Sequence, residues 1–357
     1  MSKKLGIIYS SYNNYDLLEY EVLKRVNFEN YPIVNIDDKS NTEEQERGKK
    51  ICAKNNIYFE INKQKGVQFA VDQGINFLTK KYSTDWIVCM QQDIYPLSKN
   101  FFSEFEKIID QLKDDHQIGA IGFNILSDDD VYMNKNILSK YHKGIKVNGW
   151  LGTLPLSGPK KNFSHLNLKK KIKFLLYSLH SSNSALEKRD SLFLEAINLC
   201  EYSMKNFKTV SNLYNGLCSI DIPMWGAIAI NTKMWKKYVI PRKGYIFHAW
   251  FVDIAFQLMN NNIFLAVYTK LYMQNIQKIK TKYGFHWSSA HAGRDPNFNQ
   301  YQVETYGDHK KYFKKFWGFE YEKIFQEFES VKQNYNKTLI HELWNHDYRN
   351  GPLKKFL

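Results

Sequence analysis

The stretch DWIVCMQQDIYP, residues 85–96, carries an apolar run from Trp86 to Met90 that stops at Gln91, Gln92 and Asp93. Two more acids, Asp37 and Asp38, close a second apolar run, PIVNID. The run LGIIY ends in Ser10, Ser11 and Tyr12, and IYFEI is followed by Gln64 and Lys65. Carboxylates, amides, hydroxyls and an ammonium at the ends of apolar runs suit a nucleotide diphosphate. One strand end holds a metal through its carboxylate, and a neighbouring one offers acceptors to base and ribose. Each group also has a structural reading. Asp93, three residues before Pro96, suits a turn. Asp37 and Asp38 precede a helix start, where acids offset the helix dipole.

These residues share a site only if the runs are neighbouring strands. The first 125 residues alternate strand signals (5–9, 32–37, 57–61, 86–90 and 118–125) with helical spacing over 13–26, 66–82 and 101–113. SNTE at 40–43 has capping-box spacing and opens a polar helix to about residue 55. Continuous apolar strands separated by helices predict a parallel sheet covered on both faces. Right-handed crossovers bring the strand carboxyl ends to one edge, where ligands bind. Residues 127–218 break the rhythm and read as an insertion. A strand-and-helix pattern resumes over 220–238, a buried helix follows at 247–262 and a strand at 263–268. The tail, 308–328, is aromatic, basic and helical in pattern. The fold class is α/β, divided into a donor-binding half (1–126), a basic insertion (127–218), an acceptor-binding and catalytic half (219–307) and a helical extension (308–357).

The net charge of +14 is unevenly placed. No Asp or Glu occurs from Val131 to Leu186, where lysines stand at 135, 140, 143, 146, 160, 161, 169, 170, 171 and 173. KKKIKFLLYSLH has the make-up of a basic amphipathic helix, which predicts contact with an anionic membrane surface through 160–180. A solvated helix whose lysines only aid solubility is the alternative. A nucleic-acid partner would explain the charge but not the acidic strand ends, and none is expected. The four cysteines show no ligand spacing, which fits a reduced setting. The amino-terminal apolar run is too short for a signal peptide, and no run approaches a membrane span. The expected location is cytoplasmic, at most peripheral at the inner face of a membrane.

IIYSSYNN, VNIDDKSNTEE, KGVQFAVDQGI and DWIVCMQQDIYP together resemble the donor-binding signatures of family-2-type glycosyltransferases with the GT-A fold. In that family the first strand ends in a Ser/Thr-Tyr-Asn turn and the second in Asp-Asp-x-Ser. A Gly-x-x-x-Ala-x-Asn-x-Gly helix follows, with Asp72 here in place of Asn, and the fourth strand ends in Asp-x-Asp. IDIPMWGAIAINTKMWKKY, YIFHAWFVDIAFQLMNNNIFLAVY and YFKKFWG are similar to the family's later motifs.

The resemblance implies a GT-A-like, Rossmann-type, mostly parallel sheet flanked by helices. It also implies sugar transfer from a nucleotide-sugar to a glycan or lipid-linked glycan, inverting and metal-assisted, in polysaccharide or glycan biosynthesis. Donor binding falls to Ser10, Ser11, Tyr12, Asp37, Asp38, Lys65, Gln91, Gln92 and Asp93, and acceptor binding to Trp150, Trp225 and Gly226. The tryptophans stack on sugar faces or fill core. Mn²⁺ or Mg²⁺ falls to Asp93, with His286 or His291 as a second ligand, or these histidines are packed among aromatic residues. The Asp-x-Asp is here Gln91-Gln92-Asp93, so less of the metal's charge is met by protein. Asp253 takes the family's base position, or else its other acidic position, in which case the base lies elsewhere. A GT-A-fold binding protein that has lost catalysis is the competing function. A sugar nucleotidyltransferase would need a glycine-rich loop after the first strand, and SSYNN has none.

Overall fold

The structure, a computed structural model, describes residues 4–13, 15–24, 31–112, 117–127, 167–179, 217–219, 226–247, 249–275, 278–281, 284–287, 308–324 and 353–357, besides a few isolated positions. The chain begins with β1 (Leu5–Ser11), β2 (Ile33–Asp37), α1 (Thr42–Lys54), β3 (Tyr58–Ile61), α2 (Val67–Tyr82) and β4 (Trp86–Gln91). Next come β5 (Ile94–Pro96), α3 (Phe101–Gln111), β6 (Ile118–Ser127), α4 (Leu168–Leu179) and β7 (Leu217–Ser219). The remainder is β8 (Ala227–Asn231), α5 (Thr232–Tyr238), α6 (Trp250–Met259), β9 (Phe264–Asn275), β10 (Lys278–Thr281), β11 (Gly284–Trp287) and α7 (His309–Trp317).

Nine of these strands form one sheet in the order β3-β2-β1-β4-β8-β6-β9-β5, with β7 also on β9. The half holding β3, β2, β1 and β4 is parallel, as is the β6–β9 pair. β8 runs antiparallel between β4 and β6, so the sheet is mixed. Its sequence AIAIN is as apolar as the parallel strands because coverage on both faces, not strand direction, writes that pattern. Ile7, Ile8, Val34, Ile36, Val88 and Met90 are fully buried. Each such side chain contributes roughly 1.5–3 kcal/mol through burial. The pairings of β8 with β4 and β6 join strands from 1–126 and from 219–307 in one continuous sheet.

Register sets the rim. Ser11 lies opposite Asp37 and Ser10 opposite Gln91, so the carboxyl ends of β1, β2 and β4 stand side by side. Local differences from the sequence pattern have visible causes. The helix expected over 13–26 contains a π-helical turn at Leu18–Val22, closed by the Leu23 N–H on Leu18 O at 3.0 Å. Helix α1 is capped by Asn41, whose side chain accepts from the Glu44 N–H at 2.9 Å, while Ser40 is used elsewhere. The tail helix ends at Trp317. Most of 128–216, including Trp150, lies outside the described residues, as does Trp225. No helix among the described residues is long and apolar enough to cross a membrane.

Candidate functional site

A cleft of about 530 Å³, its open mouth included, lies at this rim, lined by residues at or just beyond the carboxyl ends of β1, β2 and β4, by Lys65 and Val67, and by Ile246 and Phe247. Ser10, Ser11, Tyr12, Asp38, Lys65, Gln91, Gln92 and Asp93 all line it. Eight of the nine residues expected to bind the donor thus meet in one cavity.

Asp37 is the exception. It is fully buried and its carboxylate accepts from the Tyr15 hydroxyl at 2.7 Å, the Ser40 N–H at 2.8 Å and the Ser40 hydroxyl at 2.5 Å. It anchors the turn out of β2 and does not line the cavity. Asp38, one residue on, does. Its Oδ1 accepts from Asn62 Nδ2 and from the Gly66 N–H, both at 2.7 Å. Burial pushes its carboxyl up to about 7, against the opposing pull of those hydrogen bonds and of Lys65.

Gly66 adopts φ +126°, a conformation that favours glycine, and so aims its N–H at Asp38. The next N–H, of Val67, donates to Ile246 O at 2.8 Å and fixes the far wall of the cavity. The sequence places Gln64 and Lys65 at the end of β3, yet Asn62 is what reaches Asp38. Its polarity right after an apolar run was the available signal. Ile246 and Phe247 carried none. Lys65 holds its ammonium 4.8 Å from the centre of the Tyr12 ring, a cation–π contact at the cavity wall.

The two glutamines behave differently. Gln92 donates its amide to Tyr12 O at 3.3 Å and Asn13 O at 2.7 Å, and accepts from the Tyr12 N–H at 3.2 Å. A carboxylate cannot donate, so an acid at this position could not make the same clasp. Gln92 therefore holds the turn after β1. Gln91 Nε2 is buried and meets no acceptor among the described residues, while its backbone N–H bonds Gly226 O at 3.1 Å. That bond puts Gly226 beside the end of β4. Asp93 is 2% exposed.

A magnesium-type cation is held through one or two carboxylates plus substrate phosphates rather than by an all-protein cage. Asp93 beside the Gln91 amide fits that mode. It does not fit a cage, and no three His, Cys, Asp or Glu side chains converge among the described residues. His286 sits on β11, paired with Ile279 in a separate two-stranded hairpin, and His291 lies outside the described residues.

Asp253 is fully buried in α6 and absent from the cavity lining. Its Oδ1 accepts from Arg242 at 2.9 Å and Trp317 Nε1 at 2.8 Å, and its Oδ2 from Gln257 at 2.8 Å and Gln68 at 3.1 Å. Arg242 in turn lies over the Phe316 and Trp317 rings. With four donors on its two oxygens, this carboxylate has the geometry of a structural node. Asp253, expected from the resemblance as the general base or at the family's other acidic position, is thus enclosed within the fold and does not stand on the cavity wall. Asp72, where the resembled motif has Asn, accepts from Trp235 Nε1 at 2.9 Å and ties α2 to α5.

No family model matches the sequence, and no curated protein does. Among solved structures, GalNAc-T7 with UDP, GalNAc and Mn²⁺ is similar at 14% identity and TM-score 0.46, over 93% of this chain and 58% of that one. S. aureus TarS is similar at 15% identity and TM-score 0.28, over 45% of this chain and 29% of that one. The mannosyltransferase PcManGT from Pyrobaculum calidifontis, in complex with GDP-Man and Mn²⁺, gives 13% identity and TM-score 0.26, over 34% of this chain and 35% of that one. The chain therefore spans less than two thirds of the length of each. At these scores the likenesses assign no activity.

Proposed function

We propose that this chain is a nucleotide-sugar-dependent glycosyltransferase acting on a glycan or lipid-linked glycan, in polysaccharide or glycan biosynthesis. The observation that carries the reading is the convergence of Asp38, Asp93 and Lys65 with Tyr12 in one cleft at the carboxyl ends of β1, β2 and β4. Asp38 accepts hydrogen bonds from base or ribose, and Lys65 meets the diphosphate. Asp93 holds the Mn²⁺ or Mg²⁺ that the diphosphate brings. Such a cation supplies charge stabilisation as the diphosphate departs.

The test is thermal unfolding with a panel of nucleoside diphosphates and their sugars, with and without Mn²⁺. A ligand at a hundred times its Kd stabilises the native state by about 2.7 kcal/mol. One nucleotide is expected to raise the midpoint, and Asp38→Ala should remove that rise. A panel that shifts nothing overturns the reading.

One observation favours a second reading, donor binding without transfer. Asp253 is fully engaged within the fold, and among the described residues the acids lining the cavity are Asp38 and Asp93. Donor hydrolysis or transfer, assayed beside binding, separates the two.

A further inference from the structure

Helix α4, Leu168–Leu179, presents an apolar row that the cleft does not use. Leu168 is 71% exposed, Ile172 48% and Leu176 51%. They succeed one another at four-residue steps, so they share one face within an arc of roughly 80°. Three of the eight exposed large apolar side chains among the described residues thus fall on one helix and in line. Lys169 and Lys173, both exposed, follow next around the helix, with Lys170 half-buried beyond them. Asn167 Oδ1 accepts from the Lys170 N–H at 3.0 Å and caps the first turn.

We propose that this face of α4 docks on an anionic lipid bilayer, with Leu168, Ile172 and Leu176 entering the headgroup boundary and the lysines meeting lipid phosphates. Charge decides the occupant. No acid occurs between Val131 and Leu186, so the stretch as a whole is strongly positive. Nucleic acid would use the lysines but leave the apolar row in water. A bilayer of anionic lipid takes both. At 12 residues the helix is about 18 Å long, enough to lie in the interface and too short to span it.

The full-length chain is sedimented with vesicles of phosphatidylcholine alone and of phosphatidylcholine mixed with phosphatidylglycerol. Binding is expected only to the mixed vesicles, and weaker as salt is raised. The triple variant Lys169→Gln, Lys170→Gln, Lys173→Gln should lose on the order of a hundredfold in partitioning at low salt. The variant Leu168→Ser, Ile172→Ser, Leu176→Ser should fail to bind at any salt while keeping its circular dichroism, because these side chains are exposed. Equal binding to both vesicle types, or to neither, overturns the proposal. So does light scattering in which the wild type self-associates without lipid and the serine variant does not, since a second copy then covers the face.

Discussion

Asp37 turns its carboxylate onto Tyr15 and Ser40 inside the fold, whereas Asp38, the very next residue, lines the cleft. Two adjacent acids of identical type therefore have separable effects. Asp37→Ala strands the Tyr15 hydroxyl and the Ser40 N–H, at about 1–3 kcal/mol for each buried partner left unmet. The expected outcome is a large drop in the urea midpoint, with residual folded protein still binding nucleotide. Asp38→Asn, which keeps the Oδ1 acceptor for Asn62 and the Gly66 N–H but turns the other oxygen into a donor, should show the converse, an intact fold with nucleotide binding lost.

The raised carboxyl of Asp38, about 7 against 3.8 in the free side chain, makes stability depend on pH in a defined direction. The folded chain binds this proton more tightly than the unfolded one. The contribution is thus fully present below pH 3.8 and is lost as pH rises towards 7, levelling off above. Asp38→Asn keeps the acceptor for Asn62 and Gly66 without the charge. Urea denaturation should find it more stable than wild type at pH 8 and equal to it near pH 4. Equal stability at both would contradict the burial-driven shift.

Gln92→Glu replaces an amide that both donates and accepts with a carboxylate that only accepts. Two carbonyl oxygens, of Tyr12 and Asn13, would then face a carboxylate. A loss of about 1–3 kcal/mol in stability is expected. Weakened nucleotide binding should accompany it, because Tyr12, which lines the cavity, lies on the turn that Gln92 clasps.

On the proposed donor reading, Mn²⁺ alone should bind weakly and should tighten with nucleoside diphosphate present, since Asp93 supplies one protein carboxylate. Calorimetry with Asp93→Asn should abolish the increment due to Mn²⁺ while leaving metal-free nucleotide binding. Persistence of the increment would move the cation elsewhere.

Arg242→Met leaves the Asp253 carboxylate buried without its ionic partner, and a cost of about 3–5 kcal/mol is expected. Trp317→Phe removes one donor of four and should cost about 1–2 kcal/mol. Both are read by thermal unfolding. If instead Asp253→Asn abolished turnover while leaving the unfolding midpoint and nucleotide affinity untouched, the structural assignment would be wrong.

Strand ends were legible because burial on both faces leaves a continuous apolar run, and the polar residues closing each run mark the rim. Asp38, Lys65 and Asp93 were found that way. Asp37 illustrates the limit, since a strand's side chains alternate and composition does not say which of two acids turns inward. Asp253 shows another. Its partners Gln68, Arg242 and Trp317 are up to 185 residues away in sequence, a pairing no local pattern can carry. The antiparallel β8 was hidden for a related reason, as both strand directions leave the same apolar trace.

That reversed strand also bears on how the chain is made. β4 gains its second neighbour only when residues 227–231 arrive. At the usual pace of synthesis, this apolar edge stays open for roughly ten seconds after Gln91 is added. Over that interval the nascent polypeptide offers a ready template for pairing with another copy, so yield in a heterologous host should fall as translation outruns chaperone supply.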